Sequence, residues 1–315
     1  MNDAAFGPVP AVRAEGAAPV FERAAFVGIG LINGSLARDA RRLGLARRLV
    51  GSARRRETLD QALALGLVDE ATPDAAEAVR GADLVVLGVP VGACGEAARA
   101  MAPGLRPDAI VTDVGSVKAR VLDLVSPHLD MRRFVPGHPV AGAETSGPVA
   151  AVEHLFRDRW CILTPRADAD AAAVERVAAL WRAVGSKVEL MDAAQHDKVL
   201  AAVSHLPHLL AFNAVNTAGE VEHAMRGEVL KYAAGGFRDF TRIAGADPAM
   251  WRDVFLHNKA AVLEMTGRYA ENLAALQRAI RRGEADALYE RFASARAIRR
   301  GEAARPGGAP APGTP

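Results

Sequence analysis

The chain has 315 residues, 50% hydrophobic and 24% charged, which is enough for one large core or two smaller ones. Its 39 Lys and Arg nearly balance 37 Asp and Glu, leaving a net charge of +2, so no global field gathers nucleic acid. The two cysteines, Cys94 and Cys161, fit no metal spacing and no disulfide framework, and read as reduced thiols of a cytoplasmic protein.

Residues 1–21 form an Ala/Pro/Gly-rich stretch without the basic-then-apolar layout of a signal peptide, expected to be a disordered tail. From Ala24 to about Met191, short apolar runs alternate with helical stretches. The runs are Ala25–Ile29, Leu49–Gly51, Leu84–Val89, Ala109–Asp113, Arg133–Val135, Cys161–Thr164 and Lys187–Met191. Between them lie amphipathic pieces such as Val174, Val177, Trp181 and Val184, at steps of three to four. Buried strands alternating with helices predict an α/β fold with a mostly parallel, doubly wound sheet over residues 22–192. From 193 to 300 no strand signal remains, and Val262, Met265, Tyr269, Leu273, Leu276 and Ile280 form a helical stripe. An all-α domain of that size has much apolar surface to hide, and a homodimer through it is the expected solution. Residues 301–315 are Gly/Pro/Ala-rich and expected to be a second disordered tail. No apolar run approaches the roughly 20 residues of a membrane span, so no membrane partner is expected.

Gly28-Ile29-Gly30-Leu31-Ile32-Asn33-Gly34 follows the first strand and opens a helix, the context of a dinucleotide fingerprint. Gly28 allows the tight turn, and Gly30 lets a pyrophosphate approach a helix N-terminus, so a Rossmann-type domain binding NAD or NADP is expected. Asn33 stands at the third glycine position with Gly34 beside it, a departure that weakens the helix–strand packing argument. The second strand ends in Ser52-Ala53-Arg54-Arg55-Arg56, without the acid that grips the 2′-hydroxyl of NAD. Arg54 suits a 2′-phosphate; alternatively the arginines are a solvated helix start, and the choice of cofactor stays open. Val89 and Pro90 are expected along the adenosine side. Ser116, after the fourth run, lies at a strand carboxyl end, close to His138 in Gly137-His138-Pro139. A rigid strand-end histidine before a glycine-broken loop (Gly142, Gly147) is what hydride chemistry beside a nicotinamide requires. Ser116 also reads as the N-cap of the following helix.

Five motifs occur in order: Gly28-x-Gly-Leu-Ile, Asp113-Val-Gly-Ser-Val-Lys118, Gly137-His-Pro-Val-Ala-Gly142, Ser204-His-Leu-Pro-His208 and Gly236-Phe-Arg-Asp-Phe-Thr-Arg-Ile-Ala244. Over residues 24–300 the chain resembles the prephenate/arogenate (cyclohexadienyl) dehydrogenases of tyrosine biosynthesis. The resemblance implies NAD(P)-dependent oxidative decarboxylation of a cyclohexadienol, prephenate or arogenate. It implies His138 as base for the C4 hydroxyl, and Ser116 as the group that holds the imidazole and nicotinamide in register. It makes Arg242 the carboxylate ligand, since a guanidinium offers a bidentate fork that lysine lacks. Asp239 or Glu144 is expected to neutralise Arg242 when the site is empty. His208, Ser204 and His205 become the substrate-side wall, with Trp251 as core beneath it and Pro207 bending the helix. Three rivals predict different behaviour. A 3-hydroxyacid oxidoreductase would use a lysine such as Lys198 or Lys259, a non-catalytic NAD(P)-binding sensor would not turn over, and a hydrolase would hold metal on His205 and His208. No third ligand has suitable spacing, so no metal is expected.

Overall fold

The structure, a computed structural model, describes residues 20–142, 145–224 and 230–301. Contacts divide the chain into one unit up to Val262 and a second from Leu263.

The first unit opens with β1 (Phe21–Val27), α1 (Leu31–Arg42), β2 (Ala46–Ser52), α2 (Arg56–Ala64), β3 (Glu70–Thr72), α3 (Ala75–Val79), β4 (Leu84–Leu87), α4 (Cys94–Met101), β5 (Ile110–Asp113), α5 (Lys118–Val125) and β6 (Phe134–Val135). The six strands are all parallel, in the order β3-β2-β1-β4-β5-β6. Chain order reverses between β1 and β4, so the crevice at their carboxyl ends is the ligand-binding switch point of a doubly wound sheet. β4 is buried throughout, as a parallel strand covered on both faces must be, and this is why it reads as one apolar run. Two core clusters cover the faces. Leu36 and Ala37 of α1 pack on one side with Trp181, and Val79, Ala98 and Val121 of α3, α4 and α5 pack on the other.

β1 begins at Phe21, which is fully buried, so the ordered domain takes in the last residue of the stretch read as a tail. β3 was not visible in the sequence: three half-buried residues, Glu70-Ala-Thr72, at a sheet edge leave no apolar signal. After β6 the chain leaves the parallel sheet at Pro136 and starts a second sheet of β7 (Gly137–Pro139), β8 (Trp160–Leu163) and β9 (Lys187–Leu190). β7 pairs antiparallel with β8, and β8 pairs parallel with β9 across the crossover helix α6 (Ala171–Ala183). Asp170 caps α6 through the N–H groups of Ala172 and Ala173.

No strand follows Leu190 among the described residues. Asp192 caps α7 (Ala193–Leu200), which runs through a π-helical turn at Ala201–His205 into α8 (Leu206–Ala224). Pro207 lies one residue past this junction, and its missing N–H is accommodated by the wide π turn before it. Then come α9 (Gly235–Thr241), a 3-10 turn at Arg242–Gly245 and α10 (Pro248–His257), with Asp247 as cap and Pro248 at the first position. α11 (Lys259–Arg282) carries the chain into the second unit, where α12 (Ala285–Arg300) ends on Gly301 in the left-handed conformation. The helical run 193–222 is long and apolar enough to cross a membrane by length and composition, although no such run was expected. Its average is raised by Ala, Val and Leu between polar site residues.

Candidate active site

The turn after β1 is built for close backbone approach. Gly28 has φ +88°, and a Cβ there would lie 2.6 Å from the carbonyl oxygen of Gly88 at the end of β4. The N–H groups of Gly28 and Ile29 donate to the Ser52 carbonyl, which ties the turn to the end of β2 (2.8 and 3.2 Å). Gly30 is the N-cap of α1 and supplies no side chain, and no acid stands in the first turn of Leu31, Ile32 and Asn33. The free N–H groups of that turn, in a glycine-lined crevice at the switch point, fit the pyrophosphate of a dinucleotide.

Asn33 does not offer its side chain to a ligand. It is buried, and Nδ2 donates to the carbonyls of Gly28 (3.0 Å) and Val86 (3.1 Å), latching the turn onto β4. The departure from a third glycine thus tightens the packing, and Gly34 supplies the close contact, with Ala151 where its Cβ would be. Val89 is half-buried and Pro90 exposed beyond β4. Arg54 and Arg55 are exposed after β2 without a partner among the described residues, and Arg56 pairs with Asp60.

His138 lies on β7 beside the end of β5, buried. What holds it there is a buried ion pair that the sequence did not single out. Lys118 Nζ donates to Asp113 Oδ2 and to the Gly137 carbonyl (2.6 Å), and Asp113 also accepts the N–H groups of Gly115 (2.8 Å) and Gly137 (3.2 Å). The strand end, the Ser116 loop and the residue before His138 are thereby bound into one piece. Ser116 is half-buried and is not a helix cap. α5 has Val117 as N-cap with no side-chain bond, and its first N–H groups, of Lys118 and Ala119, donate to the carboxylate of Asp197 (2.8 and 3.0 Å). A cap reaching from α7, 79 residues on, cannot be read from local sequence.

Asp197 belongs to a chain of buried groups. His138 Nδ1 lies 2.8 Å from His196 Nε2, and His196 Nδ1 lies 2.8 Å from Asp197 Oδ1. Asn258, between α10 and α11, donates through Nδ2 to the Asp197 carbonyl (2.8 Å) and meets His205 Nδ1 at 3.1 Å. Since a carbonyl can only accept, the same amide nitrogen also donates to His205, whose Nε2 is left buried with no partner. The Gln195-His196-Asp197 run at the start of α7 was the available signal. It went unread because the partners of both side chains are distant in sequence.

His208 donates from Nδ1 to the Ser204 carbonyl (2.9 Å), one turn back across the π-to-α junction, and stacks on Trp251 with ring centroids 3.7 Å apart. Trp251 is buried in the core beneath, as expected. Burial is the main reason all four histidines are held towards the neutral form. The His138 imidazole is held well below its usual range by desolvation, with His196, Lys118 and His205 adding to it. His196 is lowered by burial against the opposing pull of Asp197, His205 is pushed down to about 4, and His208 is lowered by burial with Arg242 contributing.

Arg242 lies on an exposed 3-10 turn packed on α8. Asp239 is exposed and makes no ion pair with it, and Glu144 lies outside the described residues. The structure therefore links His138 through His196, Asp197 and Asn258 to His205, and sets Arg242 near enough to His208 to help lower its pKa. Lys198 and Lys259, which a 3-hydroxyacid enzyme would need inside, are both exposed.

Residues 36–190 match the family model described as prephenate dehydrogenase, nucleotide-binding domain, and residues 192–294 match prephenate dehydrogenase, dimerization domain. The chain is 40% identical over 273 residues to cyclohexadienyl dehydrogenase of Zymomonas mobilis, covering 87% of this chain and 93% of that protein. It is 34% identical to prephenate dehydrogenase of Bacillus subtilis, covering 90% and 76%. Among solved structures, Aquifex aeolicus prephenate dehydrogenase in complex with hydroxyphenyl propionate and NAD+ superposes with a TM-score of 0.81 at 35% identity, covering 88% and 97%. Synechocystis arogenate dehydrogenase gives 0.76 at 30% identity, covering 89% and 100%.

Proposed function

The chain belongs to the prephenate dehydrogenase family and is a nicotinamide-dependent oxidoreductase, and we propose that it oxidises and decarboxylates prephenate, arogenate or both with His138 as the base. The observation that supports this most is a buried imidazole held neutral at a strand end, bonded through Nδ1 and with no partner on Nε2 among the described residues. A neutral imidazole is what a base needs before it takes a proton.

A nicotinamide dinucleotide held at the Gly28–Gly30 turn would supply the hydride acceptor. His138 Nε2 takes the C4 hydroxyl proton as the hydride leaves C4, turning the C–O bond into a carbonyl. The C1–carboxylate bond then breaks, its electron pair enters the ring, and CO2 departs. The proton returns from His138 to the phenolic oxygen, so the protein ends as it began. Aromatisation drives the reaction, which leaves positioning as the protein's main task. Ser116, on the loop fixed by Asp113 and Lys118, aligns imidazole and nicotinamide. Arg242 binds a substrate carboxylate, and Glu144 and Asp239 are the acids assigned to the substrate side. His208 and Ser204 face the ring and side chain, and the fully buried His205 packs behind them.

We place the enzyme in the cytoplasm as a homodimer through its helical part. The test is reduced-nicotinamide production with prephenate and arogenate, each paired with NAD+ and NADP+. Turnover in at least one of the four is expected. Silence in all four, with cofactor binding shown separately, would leave a nucleotide-binding protein of another function.

A further inference from the structure

We propose that Asp197 is a positioning residue for the whole site: one carboxylate sets which nitrogen of His138 carries the proton and holds the first turn of the helix that follows Ser116. The proposal rests on the reading of His138 as the base, and it concerns a residue that no sequence motif assigned. Oδ1 of Asp197 meets the Lys118 N–H at 2.8 Å and Oδ2 meets the Ala119 N–H at 3.0 Å. A backbone N–H only donates, so both oxygens are acceptors there, and His196 Nδ1, 2.8 Å from Oδ1, must carry a hydrogen. In a neutral ring His196 Nε2 is then a lone pair, and His138 Nδ1, 2.8 Å from it, must donate. That leaves Nε2 of His138 as the basic nitrogen. Left alone, a neutral imidazole can carry its proton on either nitrogen, and with the other tautomer Nε2 could take none.

The second half of the role follows from α5, which has no cap of its own. Without the Asp197 carboxylate its first N–H groups are orphaned in a buried place, and the loop carrying Ser116 loses its anchor on that side. Asp197 is itself fixed, since its carbonyl accepts from Asn258 Nδ2 at 2.8 Å. The other charged or titratable groups facing the two rings are Lys118 of α5, Asp113 of β5 and His205 of the π turn. Lys118 is occupied by Asp113 and the Gly137 carbonyl, and the Asp113 carboxylate by Lys118 and two backbone N–H groups. Asp197 alone among the described carboxylates bonds to the histidine pair.

Two variants of the full chain separate the tautomer role from the capping role. His196→Gln leaves the cap intact and breaks the relay, whereas Asp197→Asn removes the carboxylate from both. His196→Gln is expected to keep its melting temperature within a few degrees, lose kcat by on the order of 100-fold and change KM by less than about threefold. Asp197→Asn is expected to lose at least as much kcat, with a lower melting temperature. Removing the negative charge disfavours the imidazolium, so the acid limb of its kcat/KM profile moves to lower pH. A spectrum that needs no turnover decides the tautomer directly. In 15N-histidine-labelled wild type, long-range proton–nitrogen couplings are expected to show His138 protonated at Nδ1. Protonation at Nε2 there would overturn the proposal even if the substrate assays succeed. It would equally be overturned by His196→Gln retaining kcat and its acid limb within twofold. If no substrate is turned over, the spectrum still judges the relay while the assigned reaction fails on its own.

Discussion

At the scale of single residues, the proposed site is built from buried polar groups bonded to one another, with His205 Nε2 left without a partner. As the proposed base, His138 is kept neutral by burial and is oriented through its occupied Nδ1. Replacing it with asparagine keeps a polar side chain of similar reach but removes the proton acceptor. His138→Asn is therefore expected to lower kcat by about 100-fold to 10,000-fold, the range over which a positioned acid or base contributes. Cofactor affinity, measured by fluorescence quenching on titration, should stay within about twofold, because the dinucleotide turn at Gly28–Gly30 makes no bond to His138. Normal turnover in that variant would reassign the base. Of the residues proposed for the site, His138 stood out as a strand-end histidine before a glycine-broken loop, whereas His208 was assigned only through the family resemblance. His196, Asp197 and Asn258 were not. Their meaning comes from partners 58, 78 and 61 residues away, and only the folded chain brings such pairs together.

At the scale of elements, each parallel strand except the edge strand β3 was visible as an apolar run, and the helix after β1 as a fingerprint. One reading changed for a physical reason. Asn33 proved to be a latch, because its amide bonds two carbonyls that a glycine would leave to other partners. Pro207 sits inside the continuous helical run 193–222, and a π turn just before it takes up the bend. The end of β2 bears on cofactor choice. Its last carbonyl, Ser52, accepts from the dinucleotide turn, so the residues that follow it stand beside the adenosine ribose of a bound dinucleotide. There the chain offers Ala53 and the unpaired, exposed Arg54 and Arg55, with no carboxylate to repel a 2′-phosphate. NADP+ is thus expected to support turnover with a kcat/KM within about tenfold of NAD+, and Arg54→Ala to lower the NADP+ value by about fivefold to tenfold while sparing NAD+. A charge-assisted guanidinium–phosphate contact contributes about 1.5–3 kcal/mol when well formed, and solvent exposure here puts the effect at the low end. Equal loss with both cofactors would remove Arg54 from any 2′-recognition.

At the scale of the whole molecule, the helical part leaves apolar surface without cover. In the unit that begins at Leu263, Leu263 is 59% exposed, Ile280 65%, Tyr289 74% and Phe292 58%. The stripe predicted from Val262 to Ile280 is real as a helix, yet Tyr269, Leu273 and Ile280 along it stay exposed. A stable isolated chain rarely shows so many large apolar side chains together. The run 193–222 raises the same question, since only 22% of its apolar window is buried. Lipid is the wrong cover for it. His196, Asp197 and His205 on that run bond into the buried polar network that reaches His138, and charged Lys198 stands exposed on it. A second copy of the chain is the cover that suits both surfaces, in keeping with the dimerization model matched over 192–294. Light scattering at micromolar concentration is expected to give about twice the 33.1 kDa of one chain. Ile280→Glu with Phe292→Glu should shift the mass towards one copy, because a carboxylate buried without a partner on a two-fold face is repeated by symmetry and costs several kcal/mol. A wild type that runs as a single copy at that concentration would mean the exposed stripe has some other use.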